Sequence, residues 1–350
     1  MTDNAAHTNS IDVEALARWM DANGVPGTGE IPELHDLTGG SQNELTMIER
    51  GGHRMVIRRP PSTAVDERLE GIRREHRLVK ALKGADVPHA EYIAGSDDTE
   101  LLGMPFYLME AVDGWSPMDV GGWAPPFDTD LSARRGLGLE LARGAALLSK
   151  VDWQSRGLEG FGRPHDFHER QVDRWLAFLD RIKCRELPGL DVAAEWLRNH
   201  RPRRWTPGIM HGDYQFANAM FNHGAPAELA AIIDWEMTTV GDPLLDLGWV
   251  MMSWPTADSD IEGEFVSSSL SMAGMPSRDE MLDHYETISG RSTEDVDYYI
   301  ILARFKLGIV LEQGYSRFLA GAGVNPKVEA FGPIVLDLIG KAADLAARTP

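Results

Sequence analysis

The stretch IMHGDYQFANAMFN, Ile209–Asn222, places a histidine, an aspartate and an asparagine at fixed offsets: His211, Asp213 two residues on, and Asn218 five beyond. A second acid, Asp234, closes the apolar run Leu229-Ala-Ala-Ile-Ile233. Two aspartates and an asparagine on neighbouring loops make an oxygen-rich site, the donor chemistry that Mg2+ prefers. A loop aspartate of this kind can accept a proton from an attacking hydroxyl while the other two oxygens hold metal. The reading assigns Asp213 as the base, Asn218 and Asp234 as metal ligands, and His211 as an orienting group.

The spacing H-x-D-x-x-x-x-N is that of kinase catalytic loops. HGDYQFAN followed by IIDWEMTTVGDPLLDLGW resembles the aminoglycoside phosphotransferase group of protein-kinase-like enzymes. The likeness is strongest to the branch that includes kinase-like domains fused to acyl-CoA dehydrogenases, and it runs from about Leu37 to about Ile339. It implies an α+β, two-lobe kinase-like fold, with a small antiparallel-sheet lobe and a larger, mainly helical one. It also implies ATP bound between the lobes, Mg2+ as the metal, and transfer of the γ-phosphate to a hydroxyl of a small molecule.

The resemblance gives roles to residues of the small lobe. Leu37–Ile48 reads as strand, glycine turn, strand, and the turn supplies Gly39, Gly40, Ser41 and Asn43 as nucleotide contacts, glycine letting backbone N–H groups approach phosphates closely. His53–Arg59 alternates as a strand before Pro60-Pro61. Arginines stand here where kinases carry a lysine. Alternation puts Val56 and Arg58 on one face and Ile57 and Arg59 on the other. Arg58 is therefore the expected phosphate contact, and Arg59 a solvated charge. Asp66–Lys83 is a helix whose buried stripe, Leu69, Ile72, Val79 and Leu82, places Glu75 on the inward face to pair with Arg58. Met109–Val112 occupies the hinge position, with backbone groups of Glu110 and Val112 expected to hold adenine.

Composition removes other classes. The 350 residues carry 34 Lys and Arg against 54 Asp and Glu, a formal charge of −20, which opposes binding to nucleic-acid phosphates. No apolar run approaches the roughly 20 residues of a membrane span, and the polar N-terminus lacks the plan of a secretory signal. A single cysteine, Cys184, excludes an internal disulfide and suits a reducing cytoplasm.

Three segments are expected: residues 1–30, an extension with one helix over Ile11–Asn23; 31–110, the nucleotide-binding lobe; and 111–350, the catalytic and substrate-binding lobe. In the last, helices are expected over Leu137–Lys150, Glu169–Cys184, Asp191–Asn199, Phe305–Phe318 and Val328–Ala347, with Trp175 in the core and Asp242 and Asp246 as structural hydrogen-bonders. The acidic run Asp258–Glu264 reads as a solvated loop or an amine-receiving one. A hydroxy acid or hydroxyacyl-CoA is favoured as acceptor over an aminoglycoside. A catalytically silent nucleotide-binding regulator is the alternative, and it predicts loss of Asp213, Asn218 or Asp234, all of which are present.

Overall fold

The computed structural model describes residues 11–37, 43–255, 270–321 and 326–350. Within it the chain forms two compact units. The first takes residues 1–114, 153–161 and 230–236; the second takes 115–152, 162–229 and 237–350.

The first unit is built on an antiparallel sheet. Its strands are β1 (Glu33–Leu37), β2 (Glu44–Arg50), β3 (His53–Arg59), β4 (Tyr92–Ser96) and β5 (Phe106–Glu110), in the order β1-β2-β3-β5-β4. Side-chain alternation along β3 and β5 divides the two faces. Met55, Ile57, Phe106 and Leu108 join one core cluster with Leu16 and Met20 of helix α1 (Val13–Ala22). Asp12 caps α1 by accepting the Ala15 N–H at 2.9 Å, and Arg50 of β2 ties the helix to the sheet by donating to the Ala17 carbonyl at 3.4 Å. Arg58 and Tyr107, register partners on β3 and β5, meet Glu75 of helix α2 (Asp66–Leu82). Arg59 is not a solvated charge: it is buried and pairs with Glu44 of the neighbouring strand β2 at 2.9 Å. The cross-strand register Glu44↔Arg59 brings the two together, and burial without that acid would be costly.

The second unit is helical: α3 (Pro117–Val120), α4 (Leu131–Lys150), α5 (Phe167–Leu179), α6 (Leu190–Asn199), α7 (Leu244–Met251), α8 (Arg278–Ser289), α9 (Val296–Leu319) and α10 (Phe331–Arg348). Between α6 and α7 this unit holds the short strands β6 (Gly208–Met210), β7 (Ala219–Phe221) and β9 (Thr239–Gly241), β6 pairing with β9, whereas β8 (Leu229–Ile232) falls almost wholly in the 230–236 segment of the first unit. Helix α5 stops at Leu179, short of the expected Cys184. Arg185 is drawn onto Glu312 of α9, a carboxylate with no exposure, at 2.8 Å, and Pro188 disfavours helix just beyond. Helix α9 begins at Val296, ahead of the expected Phe305. Its first turns, Tyr298–Ala303, are buried on every side and so show no amphipathic period. Among the described residues no helix is long and apolar enough to cross a membrane.

Candidate active site

In the first unit the site centres on the partly buried guanidinium of Arg58. Arg58 Nε donates to Glu75 Oε2 at 2.7 Å, and Arg58 Nη2 reaches Asp234 Oδ1 at 3.2 Å. Tyr107 donates its hydroxyl to Glu75 Oε2 at 3.2 Å. Burial works against the charge on Arg58, but Tyr107 and Glu75 beside it more than offset this and hold it protonated. Burial pushes the Glu75 carboxyl up, against the opposing pull of Arg58. Asp234 adopts the left-handed backbone region, φ 65°, which aspartate tolerates better than most residues. Its neighbour Glu236 is half-buried, and desolvation followed by the charges of Asp234 and Glu75 raises its carboxyl.

The other expected nucleotide contacts are placed unevenly. Asn43 is buried, with Nδ2 3.5 Å from Glu75 Oε1. The Glu110 N–H donates to the Glu91 carbonyl at 2.9 Å; Glu110 is exposed and Val112 partly so. Gly39, Gly40 and Ser41 lie outside the described residues, as does Asp258–Glu264.

In the second unit β6 delivers the chain to His211, Gly212 and Asp213. Gly212 has φ 87°, and a Cβ there would stand 2.5 Å from the Met237 carbonyl oxygen, so the turn requires glycine. Asp246, in the first turn of α7, accepts the N–H groups of His211 at 2.6 Å and Gly212 at 2.8 Å. Asp242 accepts from Tyr299 and Leu244 and contacts His168 at 2.9 Å. Both acids brace the loop. His211 has no exposure, and its Nδ1 receives the Asp213 N–H at 3.3 Å, a contact that orients the turn.

The Asp213 carboxylate is held from both sides. Gln215 Nε2 donates to Oδ1 at 2.7 Å, and Asn218 Nδ2 donates to Oδ2 at 3.0 Å. The same Asn218 amide donates to the Asp213 carbonyl at 2.8 Å. Both amide hydrogens of Asn218 are thereby used, and no described residue donates to its Oδ1, which leaves that oxygen available to a cation. Gln215 was not singled out in the sequence; its place two residues after Asp213 inside a tight turn is the signal that marks it. Tyr214 anchors the segment by donating to the Leu141 carbonyl at 2.8 Å.

Among the described residues no three His, Cys, Asp or Glu side chains gather to hold a metal unaided. Each unit taken by itself offers a hard oxygen donor of the kind Mg2+ takes, Asn218 Oδ1 in the second and the Asp234 carboxylate in the first.

Burial lifts the Asp246 carboxyl to about 7, against the two N–H bonds that favour its charge. The native state then binds this proton more tightly than the unfolded chain, whose carboxyl titrates near about 4. That contribution to stability is complete below about pH 4 and is lost as pH rises through about 7. The advantage of the wild type over Asp246→Asn in melting temperature should therefore narrow between pH 4 and 8; a constant gap contradicts the assignment.

The profile of the phosphotransferase enzyme family matches residues 15–280. The chain belongs to that family. A phosphotransferase of this kind is a small-molecule kinase, and the curated relatives agree with the branch seen in the sequence. The mouse acyl-CoA dehydrogenase family member 10 is 26% identical over 97% of this chain and 32% of its own length. The chicken family member 11 is 27% identical over 99% of this chain and 45% of its own length. The phosphotransferase thus spans about a third to under half of these relatives. A crystal structure of a "putative aminoglycoside phosphotransferase" from Ralstonia eutropha superposes with a TM-score of 0.82 at 28% identity, covering 97% of this chain and 99% of that one. The aminoglycoside phosphotransferase APH(4)-Ia, in complex with ADP and hygromycin B, shares the fold at a TM-score of 0.53 and 14% identity, over 95% of this chain and 98% of that one.

Proposed function

We propose that this phosphotransferase moves the γ-phosphoryl group of ATP to a hydroxyl of a small-molecule metabolite. The observation that carries the reading is the clamped Asp213 carboxylate, steadied by the Gln215 and Asn218 amides with the Asn218 oxygen to spare. In the step, the acceptor oxygen forms a bond to the γ-phosphorus, the bond to the bridging oxygen breaks, ADP leaves, and the hydroxyl proton passes to Asp213. Asn218 and Asp234 would hold Mg2+, which when bound neutralises phosphate charge. Arg58, fixed by Glu75, offers a second positive charge to the phosphates. Catalysis of this type is chiefly positioning and charge compensation.

The kinship with proteins named acyl-CoA dehydrogenases supports a hydroxy acid or hydroxyacyl-CoA as acceptor ahead of an aminoglycoside. The single cysteine supports a cytoplasmic setting. The test is ATP consumption with Mg2+ across aminoglycosides, hydroxy acids and hydroxyacyl-CoAs. Turnover with one class, absent in Asp213→Ala, is the expected result. Nucleotide binding without turnover on any class would favour the silent regulator, and absence of nucleotide binding would reject both.

A further inference from the structure

Strand β5 reads Phe106-Tyr-Leu-Met-Glu110, a largely apolar run in which Tyr107 alone carries a hydroxyl. Alternation turns Tyr107 away from the core cluster that holds Phe106 and Leu108 and onto the side of its register partner Arg58. The residue is 1% exposed, and its ring lies against that of His76, with centroids 6.2 Å apart and planes 13° from parallel. His76 is itself anchored, by Asp97 at 2.7 Å and by the Tyr92 hydroxyl at 3.0 Å. Tyr107 therefore presents its hydroxyl from a fixed backing.

Burial pushes that hydroxyl well above its ordinary range, which keeps it a donor. Its acceptor is Glu75 Oε2 at 3.2 Å, the oxygen that also takes Arg58 Nε at 2.7 Å. Near the other oxygen, Arg58 Nη2 stands 3.4 Å away and Asn43 Nδ2 3.5 Å. The last torsion of a glutamate is broad, so its donors set the plane of the carboxylate. A guanidinium and a carboxylate joined side-on can still tilt as one planar unit, and a donor from outside the pair stops the tilt. Tyr107 is the nearer of the two outside donors.

The tilt matters because Arg58 has two carboxylates to choose from. Its Nη2 also reaches Asp234 Oδ1 at 3.2 Å, while among the described residues no acceptor meets Nη1. Holding Glu75 in place keeps the guanidinium on the Glu75 side, with Asp234 lightly engaged and the Nη1 edge open to an anion. We propose that Tyr107 is a positioning residue of this phosphotransferase: its hydroxyl fixes the Glu75 carboxylate and thereby aims the Arg58 guanidinium at the phosphates of the nucleotide. The nucleotide in this statement rests on the phosphate role proposed above for Arg58; the aim of the guanidinium does not. Tyr107 touches no reacting atom and acts only through Glu75.

The test compares wild type, Tyr107→Phe, Glu75→Gln and the double variant. Mg-ATP and adenosine are the calorimetric probes, and the Arg58 Nε–H resonance is followed by 15N NMR without nucleotide. Phenylalanine keeps the ring and its contact with His76, so only the hydroxyl is lost. Tyr107→Phe is expected to weaken Mg-ATP binding about three- to tenfold, part of what one hydrogen bond to a charged group contributes. Adenosine, which has no phosphate, should bind as before, and the Arg58 resonance, sharp in wild type, should broaden. On the Glu75→Gln background, adding Tyr107→Phe should change Mg-ATP affinity by less than about twofold, because the two residues act as one unit. Mg-ATP affinity equal to wild type in Tyr107→Phe overturns the proposal. So does an equal loss of Mg-ATP and adenosine binding, which makes Tyr107 a packing residue, or an undiminished effect on the Glu75→Gln background. If wild type binds no Mg-ATP, the nucleotide reading falls by itself and the resonance decides the rest: broadening in Tyr107→Phe upholds the positioning of Arg58, and an unchanged signal overturns it.

Discussion

Asp213→Asn is expected to lower kcat by about 10²–10⁴-fold, the range for removal of a positioned general base. The substitution is nearly isosteric and sits in a clamp already supplied with donors, so the loop keeps its shape. It fails chemically on two counts. An amide cannot take the hydroxyl proton, and its NH2 must face either Gln215 Nε2 or Asn218 Nδ2, which both donate towards this position. Nucleotide affinity, read as the thermal shift on adding Mg-ATP, should persist, because Arg58, Glu75 and Asp234 are untouched. An Asn variant within tenfold of wild type would remove Asp213 from the role of base and leave the reaction to be explained by positioning alone.

The parts of this site that were legible in the sequence are those set by local geometry. Strand alternation separated Arg58 from Arg59, and helical spacing placed Glu75 inward; the 2.7 Å contact between Arg58 and Glu75 joins the two inferences. The turn from His211 to Asn218 was legible because glycine, aspartate and asparagine each meet a backbone or donor demand within eight residues. What stayed hidden depends on register and on distant packing. Arg59 is buried only because the β2–β3 register brings Glu44 opposite it. The early turns of α9 are surrounded, so their sequence carries no stripe to read. Lys306 was hidden for the same reason: its surroundings are made by Trp175 of α5 and Trp249 of α7, far from it in sequence.

Asp246→Ala is expected to be the most destabilising single change near the turn. The side chain is 2% exposed and accepts two N–H groups from the consecutive residues His211 and Gly212, one on each oxygen. Alanine leaves both donors buried without acceptors, at about 1–3 kcal/mol each. A total on the order of 4 kcal/mol is a large share of a typical stability of about 5–15 kcal/mol, and the melting temperature should fall by on the order of 10 °C. Asp246→Asn keeps one acceptor and should lose about half as much by the same reckoning. Activity should fall further than stability predicts, because the His211–Gly212 backbone that aims Asp213 is released even in molecules that remain folded. Differential scanning calorimetry at pH 7.5, with turnover measured well below the transition, separates the two effects. If Asp246→Ala melts within about 1 °C of wild type, water or a neighbouring group satisfies those N–H donors, and the orientation of Asp213 must be sought in Gln215 and Asn218 instead.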